Sequence, residues 1–138
     1  MTIVNEQAST AKPQIHLIET EYDIIADLAL GIGRQSPELS KLLLDEIDRA
    51  ELHSAKDMPK DVVTIGSEVV VLAEHKGAER KLRLVLPGEA DVDAGRVSIL
   101  TSIGAGLIGL RVGQSISWPY PNGEMRMLKI LQVTRPSR

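Results

Sequence analysis

The sequence predicts an α+β protein in which a short N-terminal antiparallel helical hairpin is followed by an antiparallel sheet wrapped around one short helix. Hydrophobic residues recur at helical spacing until about residue 54, and from Asp61 onward they alternate with polar residues, as in half-buried strands. Charge divides the chain at the same place. Residues 1–61 carry 12 acids and 6 bases, whereas residues 62–138 carry 7 acids and 10 bases.

The first 56 residues are predicted to form a tail and the hairpin. Residues 1–17 are polar and aperiodic, so we expect a flexible tail. Residues 18–56 are expected to form the hairpin, a short coiled coil, with Thr20 capping its first helix. Ser36-Pro37-Glu38 is a stronger helix start, and the second helix is expected to reach about Ser54. That helix would be roughly 28 Å long at 1.5 Å per residue.

Residues 57–138 are predicted to form a separate domain, to whose core the hairpin contributes little. Its expected strands alternate around Val69 to Ala73, around Leu82 to Val85, and from Met125 to Val133. Turns are expected at 75–78 and at Pro121-Asn122-Gly123.

The central segment from Gly95 to Trp118 is predicted to hold a short strand, a helix capped by Thr101 or Ser102, and a second strand. Its Gly104-x-Gly106-x-x-Gly109 spacing matches a dinucleotide-binding fingerprint. The next strand begins near Gln114, however, which leaves too few residues for the parallel crossover that this motif requires. We therefore expect the glycines to allow close packing and a tight helix exit.

Few residues favour catalysis or a bound cofactor. The chain has no cysteine, and His16, His53 and His75 are expected in a tail, a helix end and a turn, too dispersed to bind a metal. The acidic loop Glu89 to Asp93 offers oxygen ligands but lacks a full calcium-loop pattern, so a solvated loop is favoured. No nucleophile motif is present, and Trp118 and Tyr120 are too few for a prolyl-isomerase pocket. We expect no enzyme activity, no metal and no cofactor.

The same composition indicates where the protein acts. No signal-peptide pattern or apolar run of membrane-spanning length is present, which predicts a cytoplasmic protein without membrane association. The basic residues are scattered rather than clustered with aromatics, so direct nucleic-acid binding is not expected.

Five segments together resemble the regulators of nucleoside diphosphate kinase, which are relatives of the Gre transcript-cleavage factors. The likeness covers residues 18 to about 134. It implies an N-terminal coiled coil, a C-terminal FKBP-like domain without isomerase activity, and a bacterial protein that binds RNA polymerase near its secondary channel. The matching segments are Glu46–Ala50, Met58–Ser67, Val97–Ile99, Gly104–Gly113 and Pro121–Gly123.

Two departures from the Gre pattern shape the expected activity. Gre factors carry paired acids at the coiled-coil tip that help to hold a catalytic magnesium ion, whereas this tip reads Arg34, Gln35 and Ser36. A tip with an arginine and no paired carboxylates is a poor ligand set for magnesium. The resemblance therefore implies polymerase binding without cleavage stimulation. The remaining alternatives are a cleavage factor of the Gre type or a binding module for an unrelated protein.

The second departure concerns the segment that resembles the polymerase-docking loop. It comprises Leu100, Thr101, Ser102 and Ile103, and it has Thr-Ser where Gre-type domains often have Ser-Pro. We expect these residues to bind the polymerase.

Overall fold

A computed structural model describes residues 14–73, 77–119 and 125–136. Its helices and strands follow the chain in this order: β1 His16–Ile18, α1 Glu19–Gly31, α2 Pro37–Asp48, β2 Glu51–His53, β3 Glu68–Ala73, β4 Ala78–Val85, β5 Arg96–Ser98, α3 Ser102–Leu107, β6 Ser115–Pro119 and β7 Met125–Thr134. Two 3-10 turns, Pro87–Glu89 and Val92–Ala94, separate β4 from β5. The predicted turn at 121–123 and His75 lie outside the described residues. No helix in the described ranges is long and apolar enough to cross a membrane.

The C-terminal half forms a five-stranded sheet in the order β5-β4-β3-β7-β6. All neighbours pair antiparallel except β4 and β5, which are parallel. Val69, Val71 and Ala73 point into the core and alternate with half-buried residues along β3, as the period-two pattern predicted. A bulge between Val70 and Val71 shifts the register against β7 and bends the sheet. The α+β fold class is confirmed.

The helical hairpin is shorter than the sequence predicted. Helix α1 begins after Ile18, which makes no side-chain cap, so Thr20 is a first-turn residue and does not cap the helix. Helix α2 begins at Pro37 as expected but ends at Asp48, six residues before Ser54. The apolar spacing continues beyond that point because the chain passes directly into β2, whose first N–H donates to the Ile15 carbonyl at 2.9 Å.

The predicted end of the flexible tail at residue 17 is wrong, because residues 15–17 are already part of the folded structure. Strand β1 pairs in parallel with β2, in the register His16 to Glu51 and Ile18 to His53. Ile15 and Leu17 are each only 1% exposed, so this segment belongs to the core. The sequence did not predict this strand because β1 has only three residues, too few to show an alternation.

A single hydrophobic core joins the hairpin to the sheet, so the expectation that the hairpin contributes little to it was wrong. Ile25 and Ala29 of α1 and Leu43 and Ile47 of α2 are 0–2% exposed. They belong to the same buried cluster as the inward residues of the sheet and of α3: Val69, Val71, Leu82, Leu84, Ala105, Leu107 and Ile130. Glu21 of α1 adds a polar link, since its carboxylate accepts the Ile65 N–H at 3.1 Å.

Candidate functional site

The hairpin tip and the predicted docking loop line the same groove. This cavity has a volume of about 520 Å³ and lies where the start of α2 approaches the start of α3. Its lining residues are Gln35, Ser36, Pro37, Glu38, Leu39, Leu42, Leu100, Thr101 and Ser102. The two candidate segments, about 65 positions apart in the sequence, therefore form one surface.

The loop side of the groove is held in place by short hydrogen bonds. The Thr101 hydroxyl donates to the Ser98 carbonyl at 2.7 Å and accepts the Gly104 N–H at 3.1 Å, so Thr101 caps α3 as predicted. The Leu100 N–H donates to the Ser98 hydroxyl at 2.9 Å. Thr101 and Ser102 are exposed and Leu100 is half-buried. Ile103 packs against the core and does not line the groove.

Helix α3 packs closely against the end of β5 because Gly104 lies in its first turn. A Cβ atom on Gly104 would overlap the Ser98 carbonyl, and one on Gly109 would lie 2.8 Å from the Ile15 Cβ. Gly109 also has a φ of 82°, which favours glycine. These contacts confirm close packing as the role of both glycines.

The tip side of the groove is polar at its rim and apolar at its base. Arg34, Gln35 and Glu38 are exposed, and Arg34 is not among the residues that line the groove. Leu39 and Leu42 provide the apolar base from α2. Sequence reasoning assigned Leu39 to the helix seam and did not single out Leu42, because only the fold brings α2 beside α3.

The acid content of the tip decides what chemistry this groove can support. Residues 31–37 contain no Asp or Glu, and Glu38 alone contributes a carboxylate to the lining. Hard dications bind through several oxygen ligands, usually including more than one carboxylate. With Glu38 as the only carboxylate among its lining residues, the groove does not offer such a ligand set.

A second group of polar side chains lies on β1 and β2, away from the groove. His16 Nδ1 is 3.1 Å from His53 Nε2, and the Glu51 carboxylate lies 3.9 Å from His16 Nδ1 and 3.7 Å from His53 Nε2. Burial is the largest cause acting on the pKa of His16 and lowers it, while the charge of Glu51 opposes that effect. The expectation that the histidines lie apart was wrong for this pair, because it placed His16 in a tail.

An ion pair secures the entry to the C-terminal domain. The Arg111 guanidinium contacts the Asp61 carboxylate through Nε at 3.2 Å to both oxygens and through Nη2 at 3.0 Å to Oδ1.

In the acidic loop, Asp91 accepts the Ala94 N–H at 3.3 Å and so caps a 3-10 turn. That contact gives Asp91 a local structural role.

Comparisons with known proteins show which family has this sequence and architecture. The family model described as "Transcription elongation factor, GreA/GreB, C-term" matches residues 58–135. The regulator of nucleoside diphosphate kinase of Escherichia coli K12 is 39% identical over 88 residues, which cover 64% of this chain and 65% of that protein. Transcription elongation factor GreA of Rhodospirillum rubrum is 39% identical over 94 residues, which cover 68% of this chain and 57% of that protein. This chain thus spans less than two thirds of either relative's length.

A solved structure extends the likeness to the helical hairpin. The prokaryotic transcription elongation factor GreA/GreB from Nitrosomonas europaea superposes with a TM-score of 0.74 at 31% identity, covering 89% of this chain and 99% of that chain. The relatives are named as regulators and elongation factors. The resemblance to the regulators of nucleoside diphosphate kinase and to the Gre factors is confirmed, and the chain belongs to the GreA/GreB transcription elongation factor C-terminal family.

Proposed function

We propose that this protein is a non-enzymatic cytoplasmic regulator that binds RNA polymerase near the secondary channel, does not stimulate transcript cleavage, and affects the level of nucleoside diphosphate kinase. The observation that carries the proposal is the groove that the hairpin tip shares with residues 100–102 of the predicted docking loop. Family membership supports a role in transcription, and the name of the Escherichia coli relative supports the link to the kinase.

The groove has the properties of a protein-docking surface. Leu39, Leu42 and Leu100 supply an apolar base, and the exposed hydroxyls of Thr101 and Ser102 supply hydrogen-bonding groups at the rim. Apolar contact surrounded by polar groups is the usual arrangement of specific protein interfaces. The capped start of α3 keeps the loop rigid, so binding costs little conformational entropy.

The hairpin is too short, and its tip too close to the C-terminal domain, to carry a metal-binding side chain to a site far from the docking loop. Helix α1 has 13 residues, which corresponds to about 20 Å at 1.5 Å per residue. The tip also lies against the docking loop instead of extending away from it. A polymerase bound at the loop would contact the tip in the same interface.

A charged substitution in the groove tests polymerase binding. Ser102→Asp places a carboxylate at the exposed first turn of α3, where the positive end of the helix tolerates it, so folding should be preserved. We expect its affinity for core RNA polymerase, measured by bio-layer interferometry, to fall at least tenfold. The matched control is Thr20→Asp, which adds the same charge to the exposed first turn of α1.

Retained affinity in Ser102→Asp would contradict the groove as the polymerase site. Failure of the wild-type protein to bind the polymerase at all would favour the alternative, a binding module for an unrelated partner.

The absence of paired acids at the tip predicts no effect on transcript cleavage. Arg34 should repel Mg²⁺, so adding the protein to backtracked polymerase complexes should leave the rate of RNA cleavage unchanged. It should compete with a true cleavage factor, and the competition should weaken with salt because exposed charges are screened beyond about 10 Å at 0.1 M. Stimulated cleavage would instead assign a ligand role to Glu38 and favour the Gre-type alternative.

A further inference from the structure

We propose that His16, Glu51 and His53 form a binding site for a transition-metal ion of the Zn²⁺ class on the β1–β2 pair. The site contains none of the residues that line the groove, and it is independent of the proposed polymerase binding. Its donor atoms, two imidazole nitrogens and one carboxylate oxygen, all lie within 4.8 Å of one another.

The spacing of these donor atoms fits a tetrahedral ion. Zn–N and Zn–O bonds of about 2.0–2.1 Å place neighbouring ligand atoms roughly 3.3 Å apart at tetrahedral angles. The two ring nitrogens are 3.1 Å apart, Glu51 Oε1 lies 3.9 Å from His16 Nδ1, and Glu51 Oε2 lies 3.7 Å from His53 Nε2. The Glu51 side chain is 59% exposed, so it can rotate to bring one oxygen close to both nitrogens.

The imidazoles are positioned by the backbone and the core. The backbone N–H of His16 donates to the Gly109 carbonyl at 3.0 Å, and the neighbouring residues Ile15 and Leu17 are buried. The parallel register holds Glu51 opposite His16 and places His53 two residues farther along the same face. The two histidine side chains are only 13% and 18% exposed, so the ligands are held in place before a metal binds.

The charge and the ligand number also suit a zinc-class ion. Two neutral imidazoles and one carboxylate are the ligand types that Zn²⁺ accepts, and three protein ligands leave a fourth position for water or another group. The positive charge of Arg111 acts on His16, but Arg111 is paired with Asp61, whose negative charge opposes that effect. Soft thiolate-preferring ions are disfavoured because the chain has no cysteine.

The alternative explanation of the 3.1 Å contact is a hydrogen bond between two histidines, with no metal function. That arrangement requires a proton between the two nitrogens, and a bound metal would replace it. The two explanations differ in whether the full-length protein binds a metal ion.

The test is a titration of the chelator-treated full-length protein with ZnCl₂ by isothermal calorimetry, and with CoCl₂ by visible absorption. We expect one equivalent per chain, tetrahedral-type cobalt absorption and a raised melting temperature. His53→Gln and Glu51→Gln should each weaken zinc binding at least tenfold, and Glu19→Gln, an exposed matched control, should not. Glu51→Gln alters an exposed side chain, so it stays informative if His53→Gln misfolds.

Two results would overturn the site: a wild-type titration without saturable binding, or unchanged zinc affinity in folded Glu51→Gln and His53→Gln. Polymerase binding should be unaffected by these variants, which separates this test from that of the proposed function.

Discussion

Replacing Leu17 by alanine measures whether the N-terminal strand belongs to the folded core. Leu17 is 1% exposed and sits in the main hydrophobic cluster. Fully buried Leu→Ala substitutions cost about 2.7–5.0 kcal/mol, because the lost transfer energy adds to a residual cavity. We take about 3 kcal/mol for Leu17→Ala. For 138 residues the unfolding entropy is roughly 0.29 kcal/mol/K, so the melting temperature should fall by about 10 °C.

The control for this experiment lies directly opposite on the neighbouring strand. Leu52 is the register partner of Leu17, but it is 45% exposed, so Leu52→Ala should cost less than about 1 kcal/mol. Both variants can be compared by thermal unfolding and by urea titration, in which an unchanged m-value shows that the denatured state is unaffected. If Leu17→Ala costs no more than Leu52→Ala, β1 is not part of the core and the reasoning fails.

Three further substitutions, two of them with a control variant, probe single contacts by the same unfolding measurements. Gly104→Ala should destabilise the protein by about 1–3 kcal/mol, because the added Cβ would overlap backbone atoms. The control Gly31→Ala, whose Cβ would have nothing within 4 Å, should stabilise it by about 0.4–1 kcal/mol. Equal effects of the two substitutions would contradict the packing role of Gly104. Thr101→Ala should cost about 1 kcal/mol through loss of the helix cap, and Thr101→Ser should recover most of it. Arg111→Ala should cost under about 1 kcal/mol and less at high salt, since the pair with Asp61 is 41% and 39% exposed; a salt-independent loss would point to packing.

Local signals in the sequence predicted the sheet and the start of α3. Period-two alternation identified β3 and β4 because each strand buries one face. The Thr101 cap was predictable because its hydroxyl reaches a backbone N–H only three residues away. Pro37 marked the start of α2 for the same reason, since its fixed φ acts within one turn.

Long-range contacts between short segments could not be predicted in the same way. Strands β1 and β2 have three residues each and are separated by the whole hairpin, so neither shows a detectable alternation. Their pairing ends α2 early and brings His16 to His53. The groove depends on α2 contacting α3, and no pattern within either helix specifies that contact.

The core shared by the hairpin and the sheet determines how this protein can be dissected. The family match begins at residue 58, yet a fragment cut there would lose Ile25, Leu43 and Ile47 and expose the apolar surface that they cover. Unfolding should therefore be cooperative. Fluorescence of Trp118, the single tryptophan, and the helical circular dichroism should follow one coincident urea transition. Two separated transitions would show that the halves fold independently. A cooperative transition would mean that the isolated C-terminal segment is not a faithful substitute for the protein, and that binding studies need a chain that keeps the helical hairpin.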